Sequence, residues 1–126
     1  MMIKPKLFIN LTNHPSAMWG EQQLLAARQY GKVEDMPFPE VDEKGDEAYI
    51  SAIAEEYASR ILRCNATHEV TVHLMGELTF TFALLKRLQH YGIPCVASTS
   101  QRLVTEDADG NKTEVLFRFE RFRRYD

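Results

Sequence analysis

The sequence has few cysteines and no long apolar segment. Cys64 and Cys95 are its two cysteines, and their spacing is not C-x-x-C. We therefore expect reduced thiols and a cytoplasmic protein, without a disulfide framework or a cysteine-based zinc site. No apolar run approaches the roughly 20 residues of a membrane-spanning helix, and no signal-peptide pattern is present. We expect no membrane partner.

Several catalytic signatures are also missing. Neither G-x-G-x-x-G nor G-x-x-x-x-G-K-[ST] occurs, which argues against a dinucleotide cofactor or a phosphate loop, and G-x-S-x-G is absent too. The 4 histidines show no metal-ligand spacing. Residues 107–110 (DADG) resemble part of a calcium loop but lack its remaining ligands. We expect neither a cofactor nor a bound metal.

Acidic residues slightly outnumber basic ones. The 126 residues carry 15 Lys and Arg against 18 Asp and Glu, a formal net charge of −3. A protein that binds long nucleic acid is usually basic, so this balance argues against that partner but allows a local site for a small anion. The length and the 44% hydrophobic content fit one domain over residues 1–126.

The apolar periodicity predicts strands and helices in alternation, followed by a hairpin. The third helix is apolar almost all round at its start, so it should be the most buried. Residues 102–106 and 113–122 flank an Asp-Gly turn, and the second arm alternates as if one face were buried. The predicted strands cover residues 6–11, 32–36, 69–75 and 95–98, and the predicted helices cover residues 21–30, 46–63 and about 77–91.

This order predicts a compact Rossmann-like α/β domain. Its mostly parallel sheet should carry helices on both faces and a C-terminal antiparallel β-hairpin. Ligands of such sheets bind beyond the carboxyl ends of the strands, and a helix N-terminus adds N–H groups for an anion. We expect the N-terminus of helix three to provide such N–H groups at this edge. The polar residues that should meet at this rim are Thr12, Asn13, His14, Ser16, Gly76, Glu77, Thr79, Ser98, Thr99, Ser100 and Arg102.

Most of these residues also have a purely structural interpretation. Asn13 and Ser16 could cap helix one, and Glu77 and Thr79 could cap helix three. The run Ser98, Thr99 and Ser100 could be an ordinary strand exit. Trp19 suits packing better than recognition, and His73, in mid-strand, suits a structural histidine with its hydrogen bonds satisfied. The convergence of three clusters, rather than any single residue, favours a site.

Three segments resemble a known family. Residues 8–16 (FINLTNHPS), 73–85 (HLMGELTFTFALL) and 95–102 (CVASTSQR) resemble, in this order, small stand-alone CRISPR-associated proteins. These are single-domain relatives of the CARF (CRISPR-associated Rossmann fold) group, and the resemblance covers most of the chain. It implies a homodimer that binds cyclic oligoadenylate, the second messenger of type III CRISPR defence. It also implies that the protein is a ring nuclease, which cuts the ring.

The resemblance implies specific roles for the rim. The ligand would lie across the dimer two-fold, held by the loop after strand one and the turn after strand four, with Gly76 and Glu77 beside it. A ribose 2′-hydroxyl would attack the adjacent phosphate in line, without a metal. His14, Ser16 and Arg102 are the catalytic candidates: His14 as acid or base, and Arg102 or His14 as the cationic contact. The ligand-binding candidates are Thr12, Asn13, Gly76, Glu77, Thr79, Ser98, Thr99 and Ser100.

Two other functions stay open from the sequence. The same site could bind the ring without cutting it, as a sensor or sponge, because the rim loops contain no lysine. Alternatively, the protein could be a small interaction module whose basic last strand docks on a partner. That strand carries Arg118, Arg121, Arg123 and Arg124, although a solvated sheet face is the more ordinary interpretation of such a pattern.

Overall fold

A computed structural model describes residues 3–126 of the chain and contains five strands and three α-helices there. No helix in these residues is both long and apolar enough to cross a membrane. A short 3₁₀ helix, Ser16–Met18, precedes the first α-helix. The strands are β1 (Lys6–Leu11), β2 (Lys32–Asp35), β3 (Glu69–Leu74), β4 (Cys95–Glu106) and β5 (Lys112–Arg124), and the helices are α1 (Glu21–Arg28), α2 (Glu47–Asn65) and α3 (Leu78–His90).

The five strands form one sheet in the order β2-β1-β3-β4-β5. β1 pairs in parallel with β2 and β3, β3 pairs in parallel with β4, and β5 pairs antiparallel with β4. The predicted α/β fold, with its mostly parallel sheet and C-terminal hairpin, is confirmed. Parallel neighbours align their carboxyl ends at one edge, so the loops after β1 and β3 leave the sheet side by side.

One face of the sheet holds the larger core. Leu7, Ile9 and Leu11 alternate onto this face from β1, as Val70, Val72 and Leu74 do from β3, and α2 and α3 cover them. Phe80 of α3 is fully buried there, with its ring centroid 5.2 Å from that of Phe38 and 5.4 Å from that of Tyr57. Burying a side chain of this size stabilises the fold by roughly 1.5–3 kcal/mol.

The opposite face is covered by α1 alone among the α-helices. Its buried cluster consists of Phe8, Ala27, Val96 and Phe122, with Trp19 and other partly buried residues packed against it. The period of two that sends Ile9 to the larger core sends Phe8, Asn10 and Thr12 to this face. On this face β1 changes from Phe8 to Asn10 and β4 from Val96 to Ser98 toward their carboxyl ends, where β3 places His73 beside them. α1 begins at this edge of the sheet.

The predicted boundary between strand four and the hairpin is wrong. β4 runs without a break from Cys95 to Glu106, so Ser98, Thr99, Ser100 and Arg102 lie within a strand and do not form a turn. Ser98 pairs with Phe122, Ser100 with Phe119 and Arg102 with Phe117. β5 supplies backbone partners along this whole length, which allows polar residues to continue the strand.

The predicted buried face of the hairpin is also wrong in its outer half. Leu116 is 51% exposed and Phe117 is 70% exposed, because this half extends beyond the helices. α3 does bury more residues than α1 or α2, but its start is not covered all round. Leu78 is 82% exposed and Phe82 is 60% exposed. Apolar composition predicted burial at these positions, but no neighbouring element reaches them.

Candidate functional site

An open cleft of about 760 Å³ lies at the carboxyl edge of the sheet, between α1 and the hairpin. α1 begins at this edge, and its first turn forms one wall of the cleft beside the polar ends of β1, β3 and β4. Six of the predicted rim residues line it: Thr12, Asn13, His14, Gly76, Ser98 and Ser100. A Cβ at Gly76 would lie 2.2 Å from the Phe38 ring, so a larger residue there would require that ring to move.

The other five predicted residues lie outside the cleft lining. The Ser16 hydroxyl and backbone N–H donate to the Asp35 carboxylate, at 3.0 Å and 3.1 Å. The Thr99 hydroxyl donates to the Arg121 carbonyl. Arg102 is exposed in the hairpin, on the same strand face as Ser98 and Ser100 but farther out. Glu77 and Thr79 hydrogen-bond at the start of α3.

Glu77 caps α3 itself. Its carboxylate accepts a hydrogen bond from the Phe80 N–H at 2.7 Å and another from the Thr79 hydroxyl, also at 2.7 Å. The Phe80 bond and then the Thr79 bond lower the pKa of this carboxyl. A carboxylate at the helix N-terminus opposes a second anion there. The structural interpretation of Glu77 is therefore the one observed, and the expected anion site at α3 is already filled.

The N-terminus of α1 is the open one. Gly20 is its N-cap and makes no side-chain hydrogen bond, so the expectation that Asn13 or Ser16 caps this helix is wrong. The first intrahelical bond joins the Leu24 N–H to the Gly20 carbonyl, which leaves the preceding N–H groups without a helical acceptor. Gly20 and residues 21–23 line the cleft. Sequence reasoning missed this site because a glycine cap carries no side-chain signal.

A buried asparagine holds the loop after β1. Asn10 Nδ2 donates to the His14 carbonyl and to Asp35 Oδ1, each at 2.9 Å. Asn10 Oδ1 accepts from the Thr12 hydroxyl at 2.9 Å, and that hydroxyl oxygen accepts from the His14 N–H at 3.1 Å. These bonds hold the backbone of His14 at the cleft wall, where its side chain is exposed. Much of the polar chemistry after β1 is thus loop structure, which serves to present His14.

His73 lines the cleft and is only 2% exposed. Its Nδ1 lies 3.1 Å from Asn10 Oδ1, and its ring packs against Phe8, Trp19 and Phe122. Burial, and then the nearby His14, lower its pKa to about 4. The expected structural histidine is only half right, because Nε2 is buried without a hydrogen-bond partner among residues 3–126. The signal available in the sequence was the alternation that puts His73 on the face of the rim.

The cation at the cleft is not the predicted one. Among the described residues of the lining, Arg118 is the one Lys or Arg. Its Nη2 donates to Gln101 Oε1 at 2.7 Å and lies 3.5 Å from Glu120 Oε1. Aromatic surface comes from Trp19, Phe117 and Phe119. Within residues 3–126, no group of three His, Cys, Asp or Glu side chains is arranged to hold a metal ion.

Comparison with known proteins gives one family. The model of the family described as "Uncharacterized protein MJ1673 family" matches residues 6–123. The chain belongs to this family. The match begins with β1 and ends in β5, so it includes every residue of the cleft lining. No curated protein matches the chain.

Proposed function

We propose that the protein binds cyclic oligoadenylate and cuts it, as a metal-independent phosphodiesterase of the ring-nuclease type. One observation supports this most: the open N-terminus of α1 and two histidines of opposite character line one cleft. His14 is exposed on a fixed loop, whereas His73 is buried in the wall. The resemblance of three segments to CARF-related proteins supplies the ligand class. The proposal places the protein in the cytoplasm, where Cys64 and Cys95 stay free thiols.

The lining offers a complementary group for each part of a nucleotide. The uncapped N–H groups of α1 offer donors to a phosphate, and the helix dipole favours an anion there. The Glu21 carboxylate, in the first turn of α1 and in the cleft lining, opposes that charge in part. Trp19 and Phe119 offer aromatic surface on which a base can stack. The Ser98 and Ser100 hydroxyls and the Asn13 amide suit the sugar and the base edge.

The reaction uses the ring's own nucleophile. The ribose 2′-oxygen attacks the adjacent phosphorus, the bond from phosphorus to the 5′-oxygen breaks, and a 2′,3′-cyclic phosphate end forms. One proton leaves the 2′-hydroxyl and one reaches the departing 5′-oxygen. In this proposal His14 supplies the second proton, and the α1 N–H groups stabilise charge on the phosphate oxygens.

A homodimer completes the proposed site. One cleft of about 760 Å³ has the size of an ordinary small-molecule site, and a ring of several nucleotides is larger. Two clefts facing each other across a two-fold axis would share such a ring. Exposed apolar side chains near the cleft, Met18 and Phe117 in its lining and Leu78 on the adjacent helix, provide surface for a second copy.

Binding without cleavage is the second candidate. It is favoured by the state of Arg118, whose guanidinium already contacts Gln101 and Glu120 and so offers less charge to a transition state. The sensor and the nuclease share the ring-binding site and differ in turnover alone.

The deciding experiment is incubation of the purified protein with cyclic tri-, tetra- and hexa-adenylate, with and without EDTA, followed by product analysis. We expect linear products with cyclic phosphate ends, formed equally in EDTA. Binding with no product would select the sensor. A protein that neither binds nor cuts any ring, or one whose activity needs a divalent ion, would contradict the proposal. Light scattering showing a 14.6 kDa monomer with and without ring would contradict the dimer.

Single substitutions test which residues take part in cleavage and which in binding. His14→Ala should slow single-turnover cleavage by roughly 10²–10⁴-fold with ring affinity largely intact, because the proton donor is lost. Arg102→Ala and Arg118→Ala should each be tested for binding, since the sequence favours the first and the cleft favours the second. Loss of a phosphate contact would weaken binding about ten- to a hundred-fold. His90→Ala, exposed at the end of α3 and outside the cleft lining, is the matched control.

A further inference from the structure

The hydrogen bonds of Asn10 determine which nitrogen of His73 carries its proton. Asn10 Nδ2 faces the His14 carbonyl and the Asp35 carboxylate, and both of these groups can only accept. The amide orientation is therefore fixed, and Oδ1 faces His73 Nδ1 at 3.1 Å. An amide oxygen can only accept, so Nδ1 must carry the proton. In the neutral imidazole, Nε2 is then left with a bare lone pair.

This lone pair has no partner in the structure. Nε2 is buried without a hydrogen bond in the part of the chain that the structure describes, although His73 belongs to the wall of the cleft. A ligand therefore reaches Nε2 only when a side chain packed on the ring, such as Trp19, moves aside. A buried polar atom without a partner is uncommon and costly, and a ligand group is one way to satisfy it. The missing partner must be a hydrogen-bond donor. A phosphate oxygen cannot serve, because it carries lone pairs itself.

We propose that His73 Nε2 accepts the hydrogen bond of a ribose 2′-hydroxyl in the cleft and takes its proton during cleavage. This assignment rests on the proposed function and adds the base that His14, as acid, requires. The 2′-oxygen forms its bond to phosphorus as its proton moves to Nε2. The bond from phosphorus to the 5′-oxygen breaks as His14 donates a proton to that oxygen.

The surroundings keep His73 ready for this role at neutral pH. Its aromatic neighbours on β1, β5 and the loop before α1 are Phe8, Phe122 and Trp19, none of them charged. The titratable groups near it are His14, across the loop, and Asp35, reached through Asn10. The low pKa leaves the ring unprotonated above about pH 4, so the lone pair is available. Because the base is weak, slow turnover is expected.

Two substitutions separate the two nitrogens. His73→Asn puts an amide where Nδ1 stood, which keeps a donor to Asn10 and removes Nε2. His73→Gln puts a polar group near the Nε2 position and gives up the bond to Asn10. We expect His73→Asn to slow single-turnover cleavage by roughly 10²–10⁴-fold while it melts close to the parent. If His73 were purely structural, His73→Asn would cleave the ring like the parent, because it keeps the bond to Asn10. His73→Gln, which loses that bond, would then be the variant with lower stability and activity. His90→Asn is the matched control.

Binding identifies the donor on the ligand. The parent should bind a ring of ribonucleotides about two- to ten-fold more tightly than the matching 2′-deoxy ring, the value of one hydrogen bond, and His73→Asn should lose this preference. A preference that survives in His73→Asn would overturn the assignment. The assignment would also be overturned if the preference depended on the adenine amino group. Binding of a cyclic oligoinosinate, which lacks that group, tests this.

Imidazole ¹⁵N NMR of the ligand-free protein tests the tautomer without any ring. The expected spectrum at pH 7 shows protonated Nδ1 and unprotonated Nε2 for His73. The opposite tautomer would overturn this inference while leaving the proposed function intact. A parent protein that binds no ring would overturn the proposed function and, with it, the role of His73. If the parent and His73→Asn cut the ring at the same rate, only the role of His73 would be overturned.

Discussion

The two faces of the sheet come from the same strands but serve different purposes. Toward α2 and α3, every inward position of β1 and β3 is aliphatic, and two helices of 19 and 13 residues close the face completely. Toward α1, the inward positions begin with Phe8 and Val96 and end with Asn10, His73 and Ser98. One short helix covers part of this face, and its first turn borders the cleft. The covered face supplies stability, and we propose that the open end of the other supplies the chemistry.

The difference shows how a site can form without a catalytic motif. Buried polar groups are tolerated where each finds a partner, and Asn10 satisfies Thr12, the His14 loop and one nitrogen of His73. The remaining nitrogen is left over at the cleft. Substitutions on each face test this contrast: Phe80 is replaced on the covered face and His73 on the open one.

The largest effect is expected from the covered face. Phe80→Ala should lower the free energy of unfolding by about 3–5 kcal/mol, because it leaves a cavity between Phe38 and Tyr57. Phe82→Ala is a matched control on the same helix, and its exposed ring predicts a change within about 0.5 kcal/mol. Denaturant unfolding of both variants measures the difference. Equal losses would show that Phe82 is covered, for example by a second copy of the chain.

The next effect comes from the open face and depends on pH. Burial, and then His14, lower the His73 pKa from 6.5 to about 4. Between these values the unfolded chain binds a proton that the folded chain does not, so stability falls as pH falls from 6.5 to 4 and levels off below. The loss attributable to this residue is about 3 kcal/mol.

Unfolding curves of the parent and His73→Asn between pH 4 and 7 measure the contribution of His73 to the pH dependence of stability, because the other titrating groups are common to both proteins. The parent should lose more stability than the variant across that window. Parallel pH profiles would show that His73 is not held neutral by burial.

The smallest effect on stability, but a diagnostic one, comes from the N-terminus of α1. Gly20→Asp should add a cap and raise stability by a few tenths of a kcal/mol. The same carboxylate would occupy the proposed phosphate site, so ring affinity should fall by at least about ten-fold.

Gly20→Ala is the control, because its Cβ meets no atom within 4 Å and it leaves the N–H groups free. Thermal melting and equilibrium binding measure both variants. A Gly20→Asp protein that binds the ring as tightly as the parent would remove α1 from the phosphate site.

Much of the fold and part of the site could be predicted from the sequence. Local periodicity placed all three helices and the first three strands, because each presents a repeated apolar face to the core. The loop after β1 and Gly76 were expected at the carboxyl edge and do line the cleft. The continuous β4 was not predicted, because its polar residues are held by β5 and not by their own propensity.

The sequence by itself determined which face of β1 and β3 is apolar and where β1 and β4 turn polar, because side-chain alternation is a local property of the backbone. Local residues also determined which helix N-terminus stays open, because Glu77 accepts from the Phe80 N–H three residues later, whereas Gly20 has no side chain that could cap α1. Only the tertiary structure decided that His73 keeps one nitrogen unpaired among the described residues, because its partner Asn10 lies on another strand and is oriented by Asp35 on a third. Contacts between residues far apart in the chain exist only once the sheet has formed.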